Sequence, residues 1–158
     1  MVPTSKPNRR VAAALVPEDA LRLDNQLCFA LYSASLAMTK AYKPLLDALN
    51  LTYPQYLVML VLWERGGLSV SELGERLYLD SGTLTPLLKR MEAAGLVLRT
   101  RSPADERRVL VSPTPDGRRL RTRAAKVPEC MLKSTGCTID ELIALTRKIG
   151  QLRERLTA

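Results

Sequence analysis

Apolar residues recur along this chain at intervals of three and four, so helical periodicity dominates the pattern. Residues 23–49 read as one long helix, with Pro44 expected to kink it. A second helix starts near Pro54 and ends before Gly66-Gly67. Ser69 and Glu72 form a capping box that opens a short helix ending near Leu77. Residues 78–81 make a turn, and the next helix covers residues 82–94 and stops at Gly95. The period then changes to two. Residues 96–101 and 107–112 alternate like strands, with the polar residues 102–106 turning between them. Residues 113–135 read as a basic helix after a turn at Pro115-Asp116-Gly117, and Thr138 with Glu141 opens the last helix by a second capping box. The fold class expected is mostly α with a small β wing.

Two short helices, a tight turn and a two-stranded hairpin follow the order of a winged helix-turn-helix, here flanked by long helices at both ends. In the second short helix Leu84, Leu87, Leu88 and Met91 follow the spacing of one face and belong to the core. The opposite face carries Gly82, Pro86, Lys89 and Ala93, flanked by Thr83 and Arg90. Small residues there let the backbone approach a major groove, and cations meet phosphate. In the hairpin Arg99, Arg101, Arg107 and Arg108 gather around the turn, and Asp105 is placed to hold Arg107 extended for a minor groove. The candidate DNA-binding residues are Ser81, Thr83, Thr85, Pro86, Lys89 and Arg90 on the helix, with Arg99, Asp105, Arg107 and Arg108 on the wing. The plainer alternative is a solvated helix face and a surface ion pair worth little. A net charge of +8 and a pI near 9.8 suit a polyanionic partner, although a basic protein without one has the same balance.

At 158 residues and 46% hydrophobic content, the chain is long enough for a real core. Its longest apolar run, residues 57–63, is far too short to span a bilayer, so no membrane partner is expected. Residues 1–20 carry Lys6, Arg9, Arg10 and Pro17 and read as a flexible arm rather than a signal peptide, which points to the cytoplasm. The chain has no histidine, which removes Ser-His and Cys-His nucleophile pairs and makes an ordinary hydrolase a poor fit. Its three cysteines lack CxxC spacing, so neither a zinc site nor a disulfide scaffold is expected, and no metal or cofactor is called for. Cys28 and Tyr42 are 14 residues apart. On a continuous helix they share one face about 21 Å apart, too far to touch within one chain. Antiparallel helices of a twofold dimer would permit a thiol site built from two subunits.

From this point the chain resembles the MarR family of winged-helix regulators over residues 23–156, carried by the wing sequence Asp105-Glu106-Arg107, then Ser112-Pro113-Thr114 and Asp116-Gly117. Within the family it resembles the OhrR branch of dimeric repressors that sense organic hydroperoxides. That likeness rests on residues 23–32 around Cys28, on Leu51-Thr52-Tyr53-Pro54-Gln55-Tyr56, and on residues 80–90. The resemblance implies that Cys28 is the oxidised thiol and that Tyr42 and Tyr53 of the other subunit contact it. A phenol that donates to sulfur favours thiolate, the form a hydroperoxide oxidises to a sulfenic acid. Two-cysteine members add a resolving thiol near the C-terminus. Here Lys133 stands at the usual place, and Cys137 and Cys130 are the candidates, Cys137 preferred because it follows Gly136 in a turn; the alternative is a one-cysteine sensor capped by a small external thiol, with both inert.

The reading is a single domain over residues 21–158, with the winged helix at about 54–114 and dimerisation helices at about 22–50 and 115–157. The partners expected are a pseudo-palindromic duplex operator, a second copy of the chain, and organic hydroperoxides as inducer. Two other functions fit part of the pattern. One is a MarR-type repressor released by a small apolar or phenolic ligand, with Cys28 merely lining the pocket. The other is a thiol peroxidase, which has no use for a wing.

Overall fold

Side-chain caps decide where five of the described helices begin: Thr52, Ser69, Asp80, Thr114 and Thr138 each accept a backbone N–H from the first turn that follows. The computed structural model describes residues 17–158, and most of the expected arm, residues 1–16, lies outside them. The chain divides into two units, residues 1–38 and 39–158.

In the first unit, α1 (Pro17–Ala20) is followed by a 3-10 turn (Leu23–Asn25) and by the start of α2 (Leu27–Asp47). The helix expected from residue 23 therefore starts later. Gln26 is extended, and its side-chain amide donates to the carbonyls of Ala20 (2.6 Å) and Arg22 (3.0 Å), which ends the first turn before α2 begins. Pro44 lies inside α2, which is helical through to Asp47.

The second unit contains α3 (Tyr53–Arg65), β1 (Leu68–Ser69), α4 (Val70–Leu77), α5 (Ser81–Ala93), β2 (Val97–Arg101), β3 (Val109–Pro113), α6 (Pro115–Ala124), α7 (Val127–Thr135) and α8 (Ile139–Thr157). The sheet has three strands rather than the two of the expected hairpin. Its order is β1-β3-β2, all antiparallel, with Leu68 opposite Val111 and Arg99 opposite Val111 on the other side. β3 starts two residues later than the alternation suggests, because Arg107 and Arg108 give their N–H groups to the Asp105 side chain and carbonyl in the turn. The helix expected over 113–135 is two helices. Pro115-Asp116-Gly117 is the first turn of α6, not a turn before it, and Pro128 cannot donate to the Ala124 carbonyl four residues back.

Two apolar clusters hold this unit. The first joins α3, α4, α5 and the sheet through Met59, Leu62, Leu73, Leu84, Leu88, Met91 and Val111. The four α5 residues assigned to the core from spacing are all buried. The second cluster joins the end of α2 to α3, α6 and α7 through Leu46, Leu51, Tyr56, Leu120, Val127 and Met131. Trp63 and Leu96 pack against both. No helix of the described residues is long and apolar enough to cross a membrane.

Candidate functional site

α5 presents a prepared outer face. Asp80 caps it, accepting the Thr83 N–H at 2.8 Å and the Thr83 hydroxyl at 3.2 Å, and these bonds hold the Asp80 carboxyl below its ordinary pKa. With the leucines and Met91 turned inward, Ser81, Gly82, Thr83, Pro86, Lys89 and Arg90 are exposed and Thr85 is half-buried. Lys89 and Arg90 form no ion pair among the described residues. Their charge is therefore directed outward.

The wing arginines differ from one another. Arg107 is 92% exposed, and Asp105 Oδ1 holds it by the backbone N–H at 3.1 Å and Nε at 3.3 Å. The Asp105 carboxylate thus contacts the exposed Arg107 side chain, two residues on in the same turn. Arg108 stands 3.5 Å from Glu72, the same carboxylate that accepts the Ser69 N–H at 2.8 Å in the cap of α4. Hydrogen bonds from Ser69, with Arg108 nearby, keep the Glu72 carboxyl low. Arg99 is occupied differently. Its Nε (3.0 Å) and Nη2 (2.9 Å) form a fork on Glu92 Oε2 and its N–H donates to Oε1. The Arg99 side chain is only 24% exposed. It braces α5 against β2, so most of its charge is satisfied inside the fold. Ser69, Ser71, Thr85, Arg99, Arg107 and Arg108 help to line a cavity of about 250 Å³ between α4, α5 and the wing. In the sequence Glu72 reads only as part of a helix cap and Glu92 has no role; neither is matched there to a wing arginine. Their arginine partners, Arg108 and Arg99, lie on other elements, and no local spacing announces those pairs.

Cys28 is the second residue of α2, exposed and unbridged, in the first unit. Tyr42 and Tyr53 are in the second unit, and there they meet. Their ring centroids lie 4.9 Å apart, and Tyr56 completes a trio at 5.9 Å from Tyr42 and 6.4 Å from Tyr53. Burial raises all three phenols, Tyr56 to about 12, with the neighbouring rings adding to the rise at Tyr42 and Tyr56. They stay protonated donors at neutral pH. Tyr56 stands in a motif that the resemblance quotes, but among apolar neighbours it reads as ordinary core. Cys130 is half-buried in α7, and Cys137 is half-buried just beyond Gly136, whose φ of 65° turns the chain. The Cys137 N–H donates to Thr135 Oγ1 at 3.3 Å. No group of three or more candidate ligands that could hold a metal occurs among the described residues.

Apolar side chains stand uncovered in each unit. Leu21, Leu23, Leu27, Tyr32 and Leu36 are exposed in the first, and Ile139, Ile143, Leu145, Ile149 and Leu156 along α8 in the second, with Leu142 and Leu152 half-buried between them.

Residues 51–109 match the profile of the MarR family. The chain is 53% identical over 138 residues to the organic hydroperoxide resistance transcriptional regulator of Bacillus subtilis (strain 168), a match covering 87% of this chain and 94% of that protein. It is 49% identical over 152 residues to the HTH-type transcriptional regulator TtmR of Methylorubrum extorquens (strain PA1), covering 96% of this chain and 78% of that one. The fold is similar to that of reduced AbfR bound to DNA, with a TM-score of 0.74 and 34% identity over 90% of this chain and all of that one. AbfR is a Staphylococcus epidermidis protein. Identity at this level, spread over nearly the full length of both chains and laid on a winged helix-turn-helix, places this protein in the MarR family of transcriptional regulators and not among enzymes.

Proposed function

We propose that the chain is a cytoplasmic dimeric repressor that holds a pseudo-palindromic operator with α5 and the wing, and releases it when an organic hydroperoxide oxidises Cys28. The observation that carries the DNA half is the outward face of α5 beside the exposed, Asp105-braced Arg107. α5 enters a major groove and Arg107 an adjacent minor groove, with Lys89 and Arg90 on phosphate. α2 and α6–α8 supply the dimer contacts, consistent with the uncovered apolar rows.

The redox half is supported by an exposed thiol, a cluster of protonated phenols, and 53% identity to a regulator named for organic hydroperoxide resistance. The Cys28 thiolate attacks one peroxide oxygen. An S–O bond forms, the O–O bond breaks, and the alkoxide leaves as alcohol after taking a proton. Tyr42 and Tyr53 of the other subunit donate to the thiolate. The resulting sulfenic acid is resolved by Cys137, whose sulfur displaces water to form a disulfide between subunits. Cys130, set within α7, is the less mobile alternative.

One binding series tests this. The wild-type chain should leave its operator on treatment with cumene hydroperoxide and stay bound in the presence of phenolics. Cys28→Ser should bind equally well and stay bound under peroxide. Non-reducing electrophoresis of the treated protein should show a covalent dimer that Cys137→Ser abolishes. Release of the serine variant by peroxide would remove Cys28 as the sensor, and release by phenolics alone would favour a ligand-gated repressor.

A further inference from the structure

Tyr78 adopts a backbone conformation that bulky residues rarely take. It ends α4 with φ 56° and ψ 37°, a left-handed position where glycine or asparagine is the ordinary occupant. The residue is 63% exposed. Neither backbone preference nor core packing therefore accounts for a tyrosine here. The ring meets Arg153 of α8, whose guanidinium carbon lies 4.5 Å from its centroid, within the range of cation–π attraction. α8 buries none of its 19 residues, so this stack is a defined tie between the C-terminal helix and the helix-turn-helix.

The place of the tie gives it leverage. The Leu79 N–H donates to the Gly74 carbonyl at 3.0 Å, and a Cβ on Gly74 would stand 2.7 Å from the Leu79 carbonyl oxygen. Asp80, next in the chain, caps α5. The turn that launches α5 is thus pinned on its inner side by a backbone contact only glycine permits, and on its outer side by Arg153.

We propose that Arg153, stacked on Tyr78, is a positioning residue that fixes this turn and so sets DNA affinity from the C-terminal helix. The proposal rests on the DNA-binding reading of α5, and it holds that Arg153 does not itself contact phosphate.

The test uses the full chain and a duplex that the wild type selects from a random pool, with binding measured across a salt series for Arg153→Ala, Tyr78→Gly and the double variant. Tyr78→Gly removes the ring while relieving the left-handed backbone, so its thermal midpoint should not fall. Each single substitution should weaken binding about two- to fivefold, and the double variant no further. The slope of log affinity against log salt should stay unchanged. A slope shallower by about one in Arg153→Ala alone would make it a phosphate contact and overturn the proposal. Wild-type affinity in both single variants, or losses that multiply in the double, would overturn it too. If the wild type selects no duplex at all, the DNA-binding reading fails and the proposal with it.

Discussion

Tyr56 is the most deeply buried of the three clustered phenols, at 3% exposure, and burial with its two neighbours pushes it up to about 12. An unfolded tyrosine titrates near 10. The folded form therefore holds its proton more tightly, and stability present below about pH 10 is lost as pH rises through about 12. Tyr56→Phe should flatten that alkaline loss, measured by urea unfolding from pH 9 to 12. An unchanged profile would show that the cluster does not couple to folding. At this scale the chain disclosed much of the chemistry and little of the pairing. The wing arginines were visible as a group around a turn. Glu92 and Glu72, which hold Arg99 and Arg108 while Arg107 is braced by Asp105 of its own turn, sit on helices and meet the wing only in the fold.

Elements whose signals are local were legible. Ser69 with Glu72 and Thr138 with Glu141 cap the helices they announce, because donor and acceptor are three residues apart. β1 was not, since two residues leave no alternation to read and the partner strand β3 lies far along the chain. The break between α6 and α7 was hidden because proline is as much at home in a helix's first turn as it is disruptive in the interior. α6 also depends on a contact that no pattern encodes. A Cβ at Gly117 would overlap the Leu96 carbonyl oxygen, which accepts the Thr114 N–H at 3.1 Å, and would press on Met59. Gly117→Ala should destabilise the protein by about 1–3 kcal/mol or more through forced displacement of α6 from β2. Thermal unfolding checks this, and a wild-type midpoint would mean that the junction yields freely.

For the whole molecule, the uncovered apolar row on α8 is the feature most in need of a partner. Leu145→Glu with Ile149→Glu should convert a dimer to a monomer by light scattering. It should also abolish operator binding, because two half-sites need two linked reading helices. The winged module should keep its helical circular dichroism, since neither residue is buried in its clusters. A variant that remains dimeric would move the interface off α8.

The chain's one tryptophan supplies a label-free optical window on the molecule. Trp63 packs against both apolar clusters, and its indole N–H donates to the Gly117 carbonyl at 2.8 Å. The emitting group therefore sits at the seam between the DNA-reading core and the core formed with α6 and α7. Its emission wavelength tracks the polarity and hydrogen bonding of that seam, without interference from any second indole. On the proposed mechanism, stopped-flow fluorescence after peroxide addition would time a rearrangement of that seam separately from oxidation of Cys28 and from the departure of DNA.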